Sequence, residues 1–449
     1  MRKMFFKKAA AVICTAGMAV SLAACGSSQK TGSENPGTKA EETKQGAAGE
    51  TAKGETKEQA AGEVLTIEFF QQKGEEGPQK GYKEIIEKFN AANPDIKIEM
   101  NTVPDSGTVL VSRISSGDIP VIFSDYPTQK QFKEKVANGY VQDLSDQEFL
   151  KAAEASALEM TKQPDGKYYA LPLSRNYLGI YYNKDIFKQY NLEVPTTWAE
   201  FTAICDTLKE NGVTPMGLFG KDPGRVGHTF QCTTVAWAPN GVTTLEKAAA
   251  GEATVSGDAE FEAAAEKMLQ LLNYSNEDAL ALSDTNCWEA FANGQYAMII
   301  TGSYARGTIQ AVNPSLNFGV FPVPNDTKET TTTLAGIDAA ICVSAKASEE
   351  EKAAAYKFID FLSQVENAQV FCDNDGAPSC IIGVTPNYDG IEPMTDLIGA
   401  GQVHDWMAST VDSNVVNDLY NVTQGFWGEK NIENYLKQMD ESIKINSVQ

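Results

Sequence analysis

Apolar and polar residues alternate over Leu65-Thr66-Ile67-Glu68-Phe69-Phe70, the two-residue period of a strand. At Tyr82 the spacing changes. Tyr82, Ile85, Ile86 and Phe89 recur at three- and four-residue intervals, which predicts a helix over 82–90 that Asn93-Pro94 stops. Ile96-Lys97-Ile98-Glu99-Met100 then alternates again. Strand, helix, strand is the unit of a mostly parallel sheet. The same change of period continues with a helix over 109–116 ended by Gly117, a buried strand from Pro120 to Phe123 that ends at Ser124-Asp125-Tyr126, and a helix over 130–137 before Asn138-Gly139. Further on, 178–182 and 296–300 read as strands. Thr197-Trp198-Ala199-Glu200 opens a helix with a capping-box pattern. Residues 259–272, 352–362 and 431–445 are amphipathic helices, and 288–293 is a short one stopped by Gly294. No segment repeats at a period of about 20–50 residues. The pattern predicts an α/β body of two lobes.

The amino end departs from this pattern. Arg2, Lys3, Lys7 and Lys8 precede an apolar run from Ala9 to Val20, followed by Leu22-Ala23-Ala24-Cys25-Gly26. A basic start, a short apolar stretch and small residues at the cut describe a secretory signal, and the run is short for a membrane span of ~20 apolar residues. Leu-Ala-Ala-Cys-Gly also resembles the bacterial lipobox. That resemblance implies a signal peptide over 1–24, a diacylglycerol on the Cys25 thiol, and anchoring to the outer face of the cytoplasmic membrane; the alternative is an ordinary signal peptide with an incidental cysteine. Residues 26–62 contain no aromatic residue and no Val, Ile, Leu or Met. They cannot bury enough apolar surface to offset their ordering entropy and read as a flexible stalk.

Composition narrows the function. Of the 449 residues, 63–449 are enough for two domains. The formal charge is −23, and without the leader's four basic residues it is −27. An acidic surface argues against nucleic acid and against an anionic membrane face, which leaves the lipid as the only membrane contact. Eight cysteines occur. Beyond Cys14 and Cys25 there remain Cys205, Cys232, Cys287, Cys342, Cys372 and Cys380, with no Cys-x-x-Cys pair for zinc or redox chemistry. Cys372 and Cys380 could close a short loop, but a large core does not need staples, and buried free thiols are the favoured reading. With two histidines, His228 and His404, neither a metal site nor a cofactor is expected. Gly-x-Ser-x-Gly, His-Glu-x-x-His and phosphate-loop motifs are absent from the sequence.

Several stretches then fall into a familiar order. They are Ile67 to Gly74, Pro120-Val-Ile-Phe-Ser-Asp125, Leu171-Pro-Leu173, Tyr182-Asn-Lys-Asp185 and Pro195-Thr-Thr-Trp198. Phe291-Ala-Asn-Gly294, Ala297-Met-Ile-Ile-Thr-Gly-Ser-Tyr304, Phe318-Gly-Val-Phe-Pro-Val-Pro324, Ala335-Gly-Ile-Asp-Ala-Ala340, Tyr356-Lys-Phe-Ile-Asp-Phe-Leu362 and Gly376-Ala-Pro-Ser379 complete it. Together they resemble the extracellular solute-binding proteins of carbohydrate ABC importers, the group that includes maltose-binding protein. The resemblance implies a two-lobed periplasmic-binding-protein-like fold with hinge crossings and a ligand cleft between the lobes. Crossings are expected near Leu173–Tyr177, Phe321–Pro324 and Gly376–Val384. The amino lobe would be 63–173 plus 325–378, and the carboxy lobe 174–324 plus 379–449. It also implies a monomer that binds an oligosaccharide and docks to permease subunits, with no catalytic group.

Sugars present weakly apolar C–H faces that stack on aromatic rings, and hydroxyls that need paired donors and acceptors. In open α/β sheets such ligands lie at the carboxyl ends of strands. Gln71, Gln72 and Lys73 follow the first strand, and Asp125 and Tyr126 follow another; Asp125 could instead cap the next helix. Arg175 and Asn176 lie at the first expected crossing, where Arg175 could instead pair with an acid across the hinge. Asp222, Arg225 and His228 lie in what reads as a Gly/Pro-rich loop. The resemblance places Tyr304 where a ring stacks on sugar and brings Asp338 back to the cleft. Trp406 and Trp427, the latter in a Gly-rich turn, are further stacking candidates, with Trp237 and Trp288 behind them. Maltose-binding protein has a carboxylate where this chain has Asn176, so maltose specificity does not carry over. Asp373-Asn374-Asp375-Gly376 faintly resembles a calcium loop but lacks the remaining ligands, and reads as a turn. Two other functions remain open at this level: an exported glycoside hydrolase using paired carboxylates, and a receptor for a cationic solute such as a polyamine.

Overall fold

The computed structural model describes residues 64–447; the signal peptide, Cys25 and the stalk lie outside them. Strand β1 (Leu65–Phe70) forms where the alternation puts it and pairs in parallel with β2 (Ile96–Asn101) and β3 (Ile122–Asp125). The helix between the first two runs Glu76–Ala92 and buries Tyr82, Ile85, Ile86 and Phe89. It begins before Tyr82 because Pro78 sits in its first turn, where a missing N–H costs nothing. Thr197 and Glu200 form the expected reciprocal cap on helix Trp198–Glu210.

Six further strands complete one sheet: β4 (Leu171–Asn183), β5 (Thr214–Gly217), β6 (Tyr296–Gly302), β7 (Phe318–Phe321), β8 (Thr333–Val343) and β9 (Val403–His404). The order is β2-β1-β3-β8-β4-β6-β5, with β7 on β4 and β9 on β8. The sheet is mixed rather than mostly parallel. Its two ends are parallel, but β3 with β8, β8 with β4, and β4 with β6 and β7 are antiparallel. Strand β4 begins at Leu171, well before the predicted 178, and is irregular between Pro172 and Arg175. Proline removes a ladder donor there, and both faces are buried, so no alternation marks the strand.

The hydrophobic interior divides about β4 and β8. Leu171 and Leu173 pack with Ile67, Phe69 and Phe358 in the amino half, whereas Leu178 and Ile180 pack with Phe230 and Met298 in the carboxy half. On β8, Ala339, Ile341 and Val343 join the first group and Leu334 the second. Both strands thus pass between halves where Arg175 faces Ile337 and Asn176 faces Gly336. The second passage is β8 itself, not Phe321–Pro324: Thr332 Oγ1 donates to Val235 O at 3.0 Å, which holds the stretch just before β8 on the carboxy half. A third passage follows helix Val365–Asp375, since Cys380 and Ile381 pack in the amino half and Ile391 and Met394 in the carboxy half. All six cysteines of the body are buried free thiols.

Candidate functional site

A cavity of ≈ 270 Å³ opens between the halves beside β4 and β8. From the amino half, Gln72, Lys73 and Tyr126 line it. They sit just past the ends of β1 and β3, where the sheet stops and side chains are free to face a ligand. Gln72 is fixed by donating its amide to Ser124 O at 2.7 Å. Gln71 is fully buried and does not line the cavity; its amide donates to Lys73 O and its Oε1 accepts from Lys73 N, both at 2.8 Å, which fixes the turn that presents Lys73. Asp125 is also behind the wall, ion-paired to Lys135 at 2.6 Å and accepting from Tyr126 N at 2.9 Å.

At the passages, Asn176 and Asp338 line the cavity and Arg175 does not. Strand alternation decides this, because neighbours on β4 point to opposite faces. Asn176 Oδ1 accepts from Tyr177 N at 2.8 Å and Ser303 N at 3.0 Å, so its NH2 is left for a ligand. Arg175 makes no ion pair among the described residues; its guanidinium contacts Met160 Sδ at 3.6 Å. Asp338 pairs with the Lys73 ammonium; burial disfavours that charge, but the surrounding carboxylates of Asp338, Asp375 and Glu75 outweigh it and hold the lysine charged, well above its ordinary range.

The expected Gly/Pro-rich loop is instead the start of helix Pro223–Trp237. Asp222 caps it, accepting from Gly224 N at 2.8 Å, and Pro223 occupies the first turn, so Asp222 is structural rather than cavity-lining. Gly227 is required by packing: a Cβ would stand 2.7 Å from the Tyr420 ring. Arg225 and His228 reach the cavity from this helix. Arg225 pairs with Asp284 at 2.8 Å, lies 5.5 Å from the Tyr304 ring centroid, and comes within 3.9 Å of Glu75 across the cleft. His228 Nε2 and Tyr304 Oη are hydrogen-bonded at 2.7 Å. Burial, with Arg225 beside it, pushes His228 well below its ordinary value, so the imidazole is neutral. Tyr304 folds back over the end of β6, where Gly302 leaves room that any Cβ would take from the ring.

Of the tryptophans, Trp406 lines the cavity. Trp427 does not: it lies within helix Ser413–Glu429, not a turn, and is 2 % exposed, packed on Gly220 in the carboxy core. Trp288 is buried edge-on to Tyr304 at 6.0 Å and supports that ring rather than facing ligand. Trp237 packs on Trp198 and beneath Lys267 at 4.1 Å.

Sequence reasoning missed Glu75, Gln129, Gln231 and Tyr420, which also line the cavity. Arg225, His228 and Gln231 stand three residues apart, a helical face that would have been visible had 223–237 been read as a helix. Gln129 precedes helix Lys130–Ala137 but caps nothing with its side chain, which leaves it to the cleft. The cavity continues into two depressions of ≈ 510 and ≈ 400 Å³ that share Gln129, Gln231, Trp406 and Tyr420, or Gln72 and Tyr126, with it. Among the described residues no cluster of His, Cys, Asp and Glu could hold a metal ion.

The halves also touch outside the cavity. Lys130 pairs with Asp412 at 2.9 Å, Lys133 donates to Ser409 O at 3.1 Å, and Ser409 donates to Thr128 at 3.0 Å. Two α/β halves joined by continuous strands, closing on an aromatic- and amide-lined cleft, define a two-lobed solute receptor.

Residues 73–369 match the bacterial extracellular solute-binding proteins, and the chain belongs to that family. It is therefore an exported binding protein, not an enzyme. The Multiple sugar-binding protein of Streptococcus mutans is 28% identical over 378 residues, 83% of this chain and 88% of that one. The solute-binding protein RafE in complex with raffinose is 25% identical, with a TM-score of 0.77 over 86% of this chain and 100% of that one. The apo form of RafE from Streptococcus pneumoniae gives 0.72 over 87% and 100%.

Proposed function

We propose that this protein is the substrate receptor of an ABC importer, capturing a neutral oligosaccharide outside the cell and delivering it to the permease. The observation that carries this reading is the cavity lining. Tyr126, Tyr304, Trp406 and Tyr420 offer ring faces, and Gln72, Gln129, Asn176 and Gln231 offer amides between them. Its ionic residues, Lys73 and Arg225 against Glu75 and Asp338, cancel in formal charge. A polyamine site would need an excess of carboxylates at the surface it touches, whereas a neutral polyol is served by paired charges that grip hydroxyls from both sides. The adjoining depressions support a ligand longer than one sugar ring, and the sugar-binding names of the relatives support the same class.

Hinge closure about β4, β8 and the stretch after Gly376 would assemble the surface read by the permease. We take the amino lobe as residues 63–175 plus 337–384, and the carboxy lobe as the remainder of the body. The receptor acts as a monomer. Cys25 carries the lipid and 26–62 tether the body to the bilayer; the support is the lipobox-like Leu22-Ala23-Ala24-Cys25. Cys25→Ala is expected to release the protein into the medium.

The function is tested by thermal shift of the stalk-free body against neutral oligosaccharides and spermidine. A sugar at 100 times its dissociation constant adds about 2.7 kcal/mol and raises the melting point clearly. A shift with spermidine alone would overturn the reading.

A further inference from the structure

The Asp373-Asn374-Asp375-Gly376 stretch is not the expected turn but the last residues of a helix and its glycine cap, and none of it lines the cavity. In the fold Asp375 ends helix Val365–Asp375, its side chain is 0% exposed, and its Oδ1 lies 2.5 Å from Lys73 Nζ. The same ammonium pairs with Asp338, which does line the cavity. The charges that line the cavity cancel, Lys73 and Arg225 against Glu75 and Asp338, so the carboxylate of Asp375 behind the wall leaves the cleft with a formal charge of −1. A single partner is enough to orient a lysine, and a second buried carboxylate carries a desolvation penalty. What the second one changes is the field that a ligand meets, and a buried charge is screened far less than a surface charge.

We propose that Asp375 is a specificity-determining residue that makes the otherwise charge-balanced cleft anionic and so excludes oligosaccharides carrying a carboxylate, such as a terminal uronic acid. This rests on reading the cleft as a sugar site. Without Asp375 the Lys73–Asp338 pair would be neutral, and Lys73 would become a ready donor to a ligand carboxylate. Asp375 touches no ligand atom; it acts through Lys73. Burial, with Asp338 nearby, raises its affinity for a proton above that of an ordinary carboxylate; the Lys73 ammonium in direct contact opposes that rise and favours the ionised form.

The test is the binding preference of the mature chain for a matched pair: the neutral sugar giving the largest melting shift in the panel above, raffinose in the first instance, and the same sugar oxidised to a carboxylate at C6 of its terminal hexose. Asp375→Asn is expected to narrow the preference for the neutral form by roughly ten-fold, the scale of a unit charge acting across a partly buried wall. A purely structural role would weaken both sugars together and leave their ratio unchanged, and that result overturns the proposal. Asp375→Ser removes the same charge and carries the same expectation where the asparagine variant does not fold. If the wild type binds no neutral oligosaccharide, the sugar reading and this inference fall together; if it binds one and the ratio stays fixed, only the inference falls.

Discussion

The two walls of the cleft are built differently. The amino wall is made of residues just past strand ends, Gln72, Lys73 and Tyr126, held by backbone bonds and by the Lys73–Asp338 pair. The carboxy wall is a helix face, Arg225, His228 and Gln231, locked against the Tyr304 and Tyr420 rings. Both walls carry charge, Lys73 with Asp338 on one and Arg225 on the other, but the amino wall has the single ring of Tyr126, whereas the carboxy wall presents Tyr304 and Tyr420. A sugar needs both charge and rings, so the difference divides labour unevenly: both walls orient hydroxyls, and stacking falls mostly to the carboxy wall.

The sharpest way to break this division is Tyr304→Ala. It removes a stacking face and also frees Arg225 and His228, which the phenol positions. Sugar affinity is expected to fall by more than about ten-fold, the scale of a lost 1–3 kcal/mol contact, by calorimetric titration. Tyr304→Phe keeps the ring and is expected to recover most of the loss. An alanine variant with unchanged affinity would remove this ring from the site.

Asp338→Ala tests the other wall. It takes away an acceptor and leaves Lys73 with Asp375 alone. A loss of about ten-fold is expected, again on the scale of one charged hydrogen bond, with little change in melting point because Lys73 keeps a buried partner. Equal loss in both variants would mean the walls contribute alike.

The same contrast explains what could be read from the sequence. The first two strands and the helix between them were legible because each has one buried and one wet face, so a period is visible; β3 is buried on both faces and was legible as a short apolar run bounded by turn residues. Gln72, Lys73 and Tyr126 were found by position, as residues following such strands. Helix Pro223–Trp237 is buried nearly all round and begins with proline and glycine, so neither a period nor its composition marks it. With the helix went Gln231, and Tyr420 was hidden because the only local cue to it is Gly227, whose packing partner is distant in sequence. Trp427 was misplaced because tryptophan serves equally as core and as stacking surface, and only its helix decides. Asp375 gives no signal at all until Lys73 is placed beside it.

The neutral His228 makes a prediction about pH. Burial lowers its proton affinity below the ordinary 6.5, so at low pH the unfolded chain binds a proton that the folded chain refuses. The stability tied to this group is fully present above pH 6.5 and is lost as pH falls toward the lower folded value. Melting points measured downward from neutral pH should fall more steeply in wild type than in His228→Gln. Parallel curves would mean that the fold leaves the histidine's proton affinity unchanged; a shallower fall in wild type would mean that the fold holds it charged, and the carboxy wall would then carry two cations.

The smallest expected effect lies outside both walls, at Lys130 and Asp412, where the halves meet at the surface. Their side chains are 49% and 33% exposed, and exposed pairs contribute about 0–1 kcal/mol. Lys130→Ala is therefore expected to weaken sugar binding by less than about five-fold, and by less still at high salt, because the pair favours the closed form only through a screened contact. Asp412→Ala should lower the melting point as well, since its carboxylate also accepts from Asn414 N at 2.9 Å and caps helix Ser413–Glu429. Titration at low and high salt separates the two roles. A loss from Lys130→Ala as large as that from Tyr304→Ala would mean that closure is held by this surface pair, and that the walls select a ligand without supplying most of the energy that shuts the cleft.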